Sequence, residues 1–299
     1  MQIPEFPNLI HYAIPVFVAT VVIEVILTVK VKLQAYHYKD AATSITMGLG
    51  NVAVGLFTKG MVLTLFYFIY KTFHLFDIPF TWWAWVLLLF AEDFVYYWNH
   101  RIAHESRLFW ASHVVHHSSK KYNLSTALRQ TWSGSFYTFI WWIPLVIIGF
   151  HPVMILMQMS ISLLYQYWIH TEMINKLPKW FEAVFNTPSH HRVHHATNPQ
   201  YLDRNHAGIF IIWDKFFGTF EPEIEKPVYG LVKNINTYNP IKVAFIEWVY
   251  LFKDTFTSKT SFLNRLKYLY KPPGWKHDGT GKLSSDLRKD WQQKQQSEV

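Results

Sequence analysis

The sequence predicts an all-α fold, an integral membrane helical bundle of about four or five spans with a histidine-rich helical cap on the cytoplasmic side. Composition favours this fold, because 51% of the residues are hydrophobic and only 16% are charged. A helix needs roughly 20 residues to cross a bilayer. Five apolar runs approach that length, at residues 10–29, 52–70, 82–98, 136–150 and 152–169.

The last two runs are short, and Gly149 and Pro152 lie where they meet. They therefore form either two spans or one re-entrant hairpin. A cleaved signal peptide is not expected, because no basic segment precedes the first run and no small-residue cleavage site follows it.

Basic residues predict the orientation in the membrane. Eighteen of the 28 Lys and Arg residues follow His170, whereas the stretch 71–81 contains one. The positive-inside rule then places the histidine motifs and the C-terminal third at the cytoplasmic face, of a bacterial inner membrane or of the endoplasmic reticulum. The net charge of +8 is spread along these loops and forms no patch, which argues against a nucleic-acid partner. The sequence leaves the oligomeric state open.

Three regions follow from these patterns. The apolar positions of residues 245–256 and 262–270 recur at helical spacing, with basic residues between them, which is typical of interfacial amphipathic helices. Residues 278–299 are polar and predict a solvated tail. The predicted regions are N-terminal transmembrane helices (1–98), a histidine-rich catalytic region with a membrane hairpin (99–228), and amphipathic helices with the tail (229–299).

Histidine clusters are the main functional signal. Eleven of the 16 histidines lie between residues 99 and 198, and ten of them occur as His100-x3-His104, His113-x2-His116-His117, His170 and His190-His191-x2-His194-His195. Imidazole is the commonest side-chain metal ligand, and ten exceed what one tetrahedral ion can use. The pattern therefore favours two neighbouring metals. The chain has no cysteine, so thiolate and iron–sulfur sites are excluded.

Helical spacing places the members of each cluster on one helix face. His104 and His113 are separated by nine steps of roughly 100° each, which would put them on opposite sides of a continuous helix. The helix must therefore break or bend within residues 105–112. The remaining isolated histidines are predicted to have no ligand role: His11, His37, His74, His151 and His277.

Carboxylates close to the clusters are candidates for orienting the imidazoles, since ligating histidines need partners that fix their tautomer. Asp93 lies in an apolar run seven residues before His100, on about the same helix face. An ionisable group inside a membrane segment is functional by default, so Asp93 is also predicted as a site residue. Asp203 and Glu172 are further candidates, and the role of His206 stays open.

These motifs resemble the histidine boxes of the fatty acid hydroxylase/sterol desaturase superfamily, and most closely its alkylglycerol monooxygenase branch. The resemblance includes His113-Val-Val-His-His-Ser-Ser and the following run from Tyr122 to Gln130, which contains Asn123 and Arg129 as further candidate supporting residues. It extends through Thr187–His195, Trp213–Pro222 and Pro273-Gly-Trp275. One departure is His206, where the family has a tyrosine.

The resemblance implies a di-iron centre that activates dioxygen and attacks a C–H bond of a membrane lipid, with zinc able to replace iron in a purified sample. It implies an external electron donor, either a tetrahydropterin or a cytochrome-type protein. Glu105 matches a glutamate that follows the first box, and is predicted as a catalytic residue. The implied ligands are His100, His104, His113, His116, His117, His170, His191, His194 and His195, and the adjacent His190 is predicted as a further ligand.

Three functions remain open from the sequence. The first is a lipid mono-oxygenase that hydroxylates, and so cleaves, ether lipids such as alkylglycerols. The second is a sterol or fatty acyl desaturase that uses the same metal site. The third, from another class, is a zinc-binding membrane transporter, which predicts ligands along a path across the bilayer.

Overall fold

A computed structural model describes residues 9–297 of the chain, apart from the side chains of residues 10 and 11. Residues 1–8 of the predicted N-terminal region and residues 298–299 of the predicted tail lie outside the described residues. Within the described range the chain forms thirteen α-helices and three short 3-10 segments, with no strand beyond two isolated bridges. The prediction of an all-α fold is confirmed.

The first two helices are the most apolar. Helix α1 covers Leu9–Lys30, and α2 covers Tyr38–Phe73, so the predicted run 52–70 is the second half of a much longer helix. Among the described helices, these two are long and apolar enough to cross a membrane, and most of their side chains are exposed. The predicted count of four or five spans therefore stays a prediction.

Helices α3 (Trp82–Glu105) and α4 (Arg107–His117) meet at Ser106, whose backbone is extended with φ −130° and ψ 123°. The predicted break is thus confirmed. The Arg107 guanidinium fixes the start of α4, because it donates to the carboxylates of Glu247 at 2.9 Å and Asp254 at 2.7 Å.

A helical hairpin follows the short helix α5 (Leu124–Ala127). Its arms are α6 (Ile143–Ile148) and α7 (Pro152–Trp168), and they are joined by a turn at Gly149 with φ +123°. A Cβ at Gly149 would lie 1.8 Å from the carbonyl oxygen of Phe76, so only glycine allows this close approach. The hairpin packs against α2 and α3 in the main hydrophobic core, which includes Phe66, Leu88, Val146 and Met154.

The remaining chain consists of short helices followed by three longer ones. The predicted amphipathic helices are present as α11 (Pro240–Thr257) and α12 (Phe262–Tyr270). The predicted solvated tail has no buried residue in its helix, α13, but it is ordered against the body, since Arg288 donates to the carbonyl of Leu202. The bounds are α8 (Lys179–Glu182), α9 (Pro188–His194), α10 (Ile212–Phe217), α11 (Pro240–Thr257), α12 (Phe262–Tyr270) and α13 (Ser284–Ser297).

Candidate metal centre

Nine of the ten clustered histidines converge in two groups. In each group, one ring nitrogen from every member lies within 4.8 Å of those of all the other members. The five-histidine group consists of His100, His104, His113, His117 and His194. The four-histidine group consists of His116, His170, His191 and His195.

Helix periodicity explains how the chain delivers these side chains. In α4, His113 and His117 are one turn apart and join the five-histidine group, whereas His116 points to the four-histidine group. The segment at α9 is divided in the opposite way. His194 joins the five-histidine group, whereas His191 and His195 join the four-histidine group. Each H-x2-H-H motif therefore serves both groups. Helix α3 supplies only the five-histidine group, and His170, just after the end of α7, supplies only the four-histidine group.

The separations between ring nitrogens fit metal coordination. The Nε2 of His113 lies 3.0 Å from that of His100 and 3.1 Å from that of His117. In the four-histidine group, the Nε2 of His170 lies 3.1 Å from that of His116 and 3.0 Å from that of His191. Two metal–nitrogen bonds of about 2.1 Å at a right angle would separate their nitrogens by about 3.0 Å. The donor sets therefore fit two metal ions with near-right-angle ligands.

Backbone carbonyls orient the imidazoles. The Nδ1 of His100 lies 2.7 Å from the carbonyl oxygen of His206, and the Nδ1 of His170 lies 2.7 Å from that of Gln166. A carbonyl can only accept, so Nδ1 carries the proton and the Nε2 lone pair faces the centre. In the same way, the Nδ1 of His194 lies 2.9 Å from the carbonyl oxygen of Arg204, and the Nδ1 of His116 lies 3.3 Å from that of Arg129.

The Asp203 carboxylate contacts a ligand candidate, because its Oδ1 lies 3.4 Å from the Nδ1 of His104. Its backbone is left-handed, with φ +52°. Of the predicted supporting residues, Asp203 acts through its side chain, whereas Arg129 and His206 act through their main-chain oxygens.

Burial keeps the cluster ready to bind metal. Loss of solvation lowers the pKa of His116 to about 4, and burial together with the neighbouring imidazoles lowers the pKa of His113 and His195 well below the usual range. These three rings are therefore neutral at pH 7, with lone pairs available for a metal ion.

His190 and His206 lie outside both groups. The His190 ring packs edge-on against Phe220, with 5.4 Å between centroids, and burial lowers its pKa to about 4. The His206 ring is fully buried with its centroid 5.1 Å from that of His104, and neither ring nitrogen has a hydrogen-bond partner among the described residues.

The histidines predicted to have no ligand role lie elsewhere in the described structure. His37 stacks with Tyr238, and His74 pairs with Asp77 at 3.1 Å. His151 contacts the start of α7, and His277 contacts Tyr268. The side chain of His11 lies outside the described residues.

Four other predicted site residues have partners away from the histidines. The Asp93 carboxylate accepts from the backbone N–H groups of Ile209 and Phe210, at 2.6 and 2.9 Å, and from the Trp213 indole. Asp93 thus fixes the segment that follows His206, the residue whose carbonyl orients His100. Glu105 pairs with Arg101 at 2.9 Å.

The last two are Glu172 and Asn123. The Glu172 carboxylate accepts from the Tyr229 hydroxyl at 3.2 Å. Asn123 caps α5 and donates to the carbonyl of Ala35 at 2.7 Å. Both residues therefore stabilise the chain around the centre without contacting a ligand candidate.

Sequence reasoning missed Asp214, which is buried and accepts from the backbone N–H groups of His206 and Ala207, both at 2.8 Å. Burial raises its pKa to about 6. The run that begins at Trp213 was already part of the family resemblance, so the sequence could have indicated Asp214. The carbonyls of Gln166 and Arg204 had none, because a main-chain oxygen carries no sequence signature.

The class to which this site points is confirmed by comparison. Residues 85–219 match the family model of the fatty acid hydroxylases, and this stretch contains all nine histidines of the two groups. The resemblance to that superfamily, inferred from the histidine motifs, therefore holds.

Within that class, the chain is similar to alkylglycerol monooxygenases. It is 42% identical to that of Homo sapiens over 282 residues, which cover 93% of this chain and 62% of the relative. The protein of Danio rerio is 40% identical over 91% of this chain and 61% of the relative. The chain thus spans about three fifths of the length of these curated relatives. Ornithine lipid hydroxylase OlsE of Rhizobium tropici is 27% identical over 45% of this chain. No solved structure matches the chain.

Proposed function

We propose that this protein is an integral membrane, di-iron, dioxygen-dependent lipid hydroxylase that acts on ether lipids such as alkylglycerols. The observation that carries the proposal is the convergence of nine imidazoles into two adjacent groups that share α4 and α9. The names of the relatives support the reaction class, since both printed activities are oxygenations of lipids.

The donor set favours iron. Imidazole suits iron, copper, nickel and zinc, but five ligands exceed the four of a tetrahedral zinc site. Bound iron would supply the strong oxidant that an unactivated C–H bond requires and that no side chain provides. The chain's own residues would hold the pair through Nε2 atoms; Nδ1–H bonds orient the rings, and burial excludes water.

The lipid setting is supported by the first two helices. Their exposed side chains are largely apolar, including Val22, Leu56 and Phe57, and a soluble surface rarely exposes so large an apolar area. A bilayer would cover it, and the basic C-terminal third would then lie at the cytoplasmic face.

Hydroxylation explains how an ether lipid would be cleaved. One oxygen atom of dioxygen enters the C–H bond beside the ether oxygen, and the other leaves as water with two protons and two electrons from the donor. The resulting hemiacetal breaks down to an aldehyde and an alcohol. This step needs no further residue of the chain.

The test uses the full chain, expressed in membranes and purified without oxygen. Metal analysis with Mössbauer spectroscopy is expected to find two coupled irons per chain. Incubation of the dithionite-reduced protein with an alkylglycerol and ¹⁸O₂ is expected to give labelled water and an aldehyde that carries ¹⁸O before exchange. A product lighter by two hydrogens would instead support a desaturase, and metal flux into proteoliposomes without oxygen uptake would support a transporter.

A further inference from the structure

His206 is a buried imidazole that neither histidine group uses. Its side chain is fully buried, and neither ring nitrogen has a hydrogen-bond partner among the described residues. A neutral imidazole always carries one N–H donor and one acceptor nitrogen, whichever tautomer is present. Buried polar groups without partners are rare and costly, so each one requires an explanation in the structure or in a ligand.

The main chain fixes where this ring lies. The N–H group of His206 donates to the Asp214 carboxylate at 2.8 Å, and its carbonyl oxygen lies 2.7 Å from the Nδ1 of His100. The preceding Asn205 has a left-handed backbone, with φ +55°. Its side chain donates to the carbonyl of Glu221 and accepts from the N–H of the same residue, both at 2.8 Å. The position of the His206 ring is therefore a preformed feature of the fold.

The ring lies against the five-histidine group. Its centroid is 5.1 Å from that of His104, 5.6 Å from that of His194 and 5.9 Å from that of His100. Members of the group are separated by similar distances, such as 4.3 Å between His100 and His194 and 6.4 Å between His113 and His194. The ring nitrogens of His206 nevertheless do not join those that lie within 4.8 Å of one another. His206 is thus a direct neighbour of the donor set without being one of the five donors.

The five donors leave room for a sixth group. Near-right-angle ligands are typical of an octahedral ion, which takes six, so five imidazoles leave one position for a ligand from outside the chain. In haem pockets, a hydrogen-bond donor beside such a position decides how small ligands bind there. His206 offers a donor of this kind, because it lies beside the five-histidine group with the hydrogen-bonding capacity of its ring unused.

We propose that His206 binds the small outside ligand of the five-histidine ion, by donating a ring N–H hydrogen bond to it. The ligand is a molecule of two or three atoms with a free lone pair, and dioxygen is the one that the reaction would use. The proposal rests on the proposed function, which assigns an iron to this group. Donation needs no change in the charge of His206, because the neutral ring already carries the N–H. His206 is therefore a binding residue and not a metal ligand.

The first test measures azide binding to the oxidised, iron-loaded full chain by absorbance. Azide is a three-atom anion that accepts hydrogen bonds. His206→Phe keeps a flat ring but removes the N–H, so the dissociation constant of one azide should rise about tenfold, as expected for loss of a hydrogen bond to a charged group. His206→Gln keeps a donor of similar reach and is expected to retain most of the affinity.

The matched control is His190→Phe, which removes another buried imidazole from outside both groups and should bind azide as the wild type does. Equal iron content and equal Mössbauer parameters in every variant would show that the centre itself is intact.

The second test uses dioxygen itself. The chain is reduced with dithionite, freed of the excess and mixed with dioxygen in a stopped-flow instrument. His206→Phe should raise the dioxygen concentration for the half-maximal oxidation rate by about fivefold. The effect is smaller than for azide because dioxygen carries no charge. His206→Gln is again expected to stay close to the wild type.

A wild-type azide dissociation constant in His206→Phe would overturn the proposal, as would a wild-type chain that binds no azide. Loss of one iron from His206→Phe would also overturn it, because His206 would then be a metal ligand. Failure of the proposed function is recognised separately, since azide binding needs neither lipid nor turnover. Dithionite-reduced wild-type protein, given oxygen and an alkylglycerol, would then form no oxygenated product, while the azide results would stay unchanged.

Discussion

The five-histidine and four-histidine groups share two helices but differ in what surrounds them. The five-histidine group has a carboxylate contact, from Asp203 to His104, and its member His100 bonds to the carbonyl of His206, in the segment that Asp93 and Asp214 fix. The four-histidine group has no such carboxylate contact among the described residues and is packed by Tyr122, whose ring stacks on His170. Because α4 and α9 each contribute to both, the groups are coupled in position, while their individual partners allow them to differ in chemistry.

This difference suggests a division of labour. A carboxylate that orients an imidazole raises the basicity of that imidazole. We therefore expect Asp203 to strengthen metal binding at the five-histidine group. The aromatic contacts of the four-histidine group contribute packing but no charge. Variants that affect both groups, one group, or a single orienting contact can separate these roles.

Acidification should have the largest effect, because it acts on both groups. In the metal-free protein, His116 has a pKa of about 4 in the folded state against 6.5 when unfolded. Between these values the unfolded chain binds a proton that the folded chain does not, so stability is unaffected at pH 7 and falls from pH 6.5 to about pH 4. The contribution of His116 alone is about 3 kcal/mol. Thermal unfolding across this range measures it, and a constant Tm would contradict the buried, neutral cluster.

Loss of one ligand should affect one group. His195→Gln removes a member of the four-histidine group, and we expect about half of the bound metal and all hydroxylase activity to be lost. His190→Gln is the matched control, since His190 lies in α9, the helix that His195 directly follows, but outside both groups. Metal content by mass spectrometry distinguishes the two variants. Equal metal loss in both would mean that His190 is a ligand after all.

The smallest effect is expected from one orienting contact. Asp203→Asn keeps a residue that tolerates the left-handed backbone but removes the charge beside His104. Metal affinity should fall by about 10–100-fold, and only for one of the two ions. Glu105→Gln serves as the comparison because Glu105 pairs with Arg101, and its metal titration should match the wild type. A loss of activity in Glu105→Gln with unchanged metal would support the catalytic role predicted from the resemblance.

Local pattern predicted much of this site. The spacing of His100 and His104 and the forced break before His113 required only helix periodicity, and both appear in the structure. The absence of cysteine and the excess of imidazoles predicted a nitrogen-rich centre for two metals. Even the amphipathic helices α11 and α12 followed from apolar spacing alone.

The sequence by itself determined which residues could bind metal and on which helix faces they lie, because those properties depend on neighbours within one or two turns. Only the tertiary structure decided that each H-x2-H-H motif is divided between two groups, and that Asp93 holds a distant loop while His190 turns toward Phe220. It also decided which carbonyls orient the rings. These outcomes depend on contacts between segments up to about a hundred residues apart, and such contacts leave no local periodicity to detect.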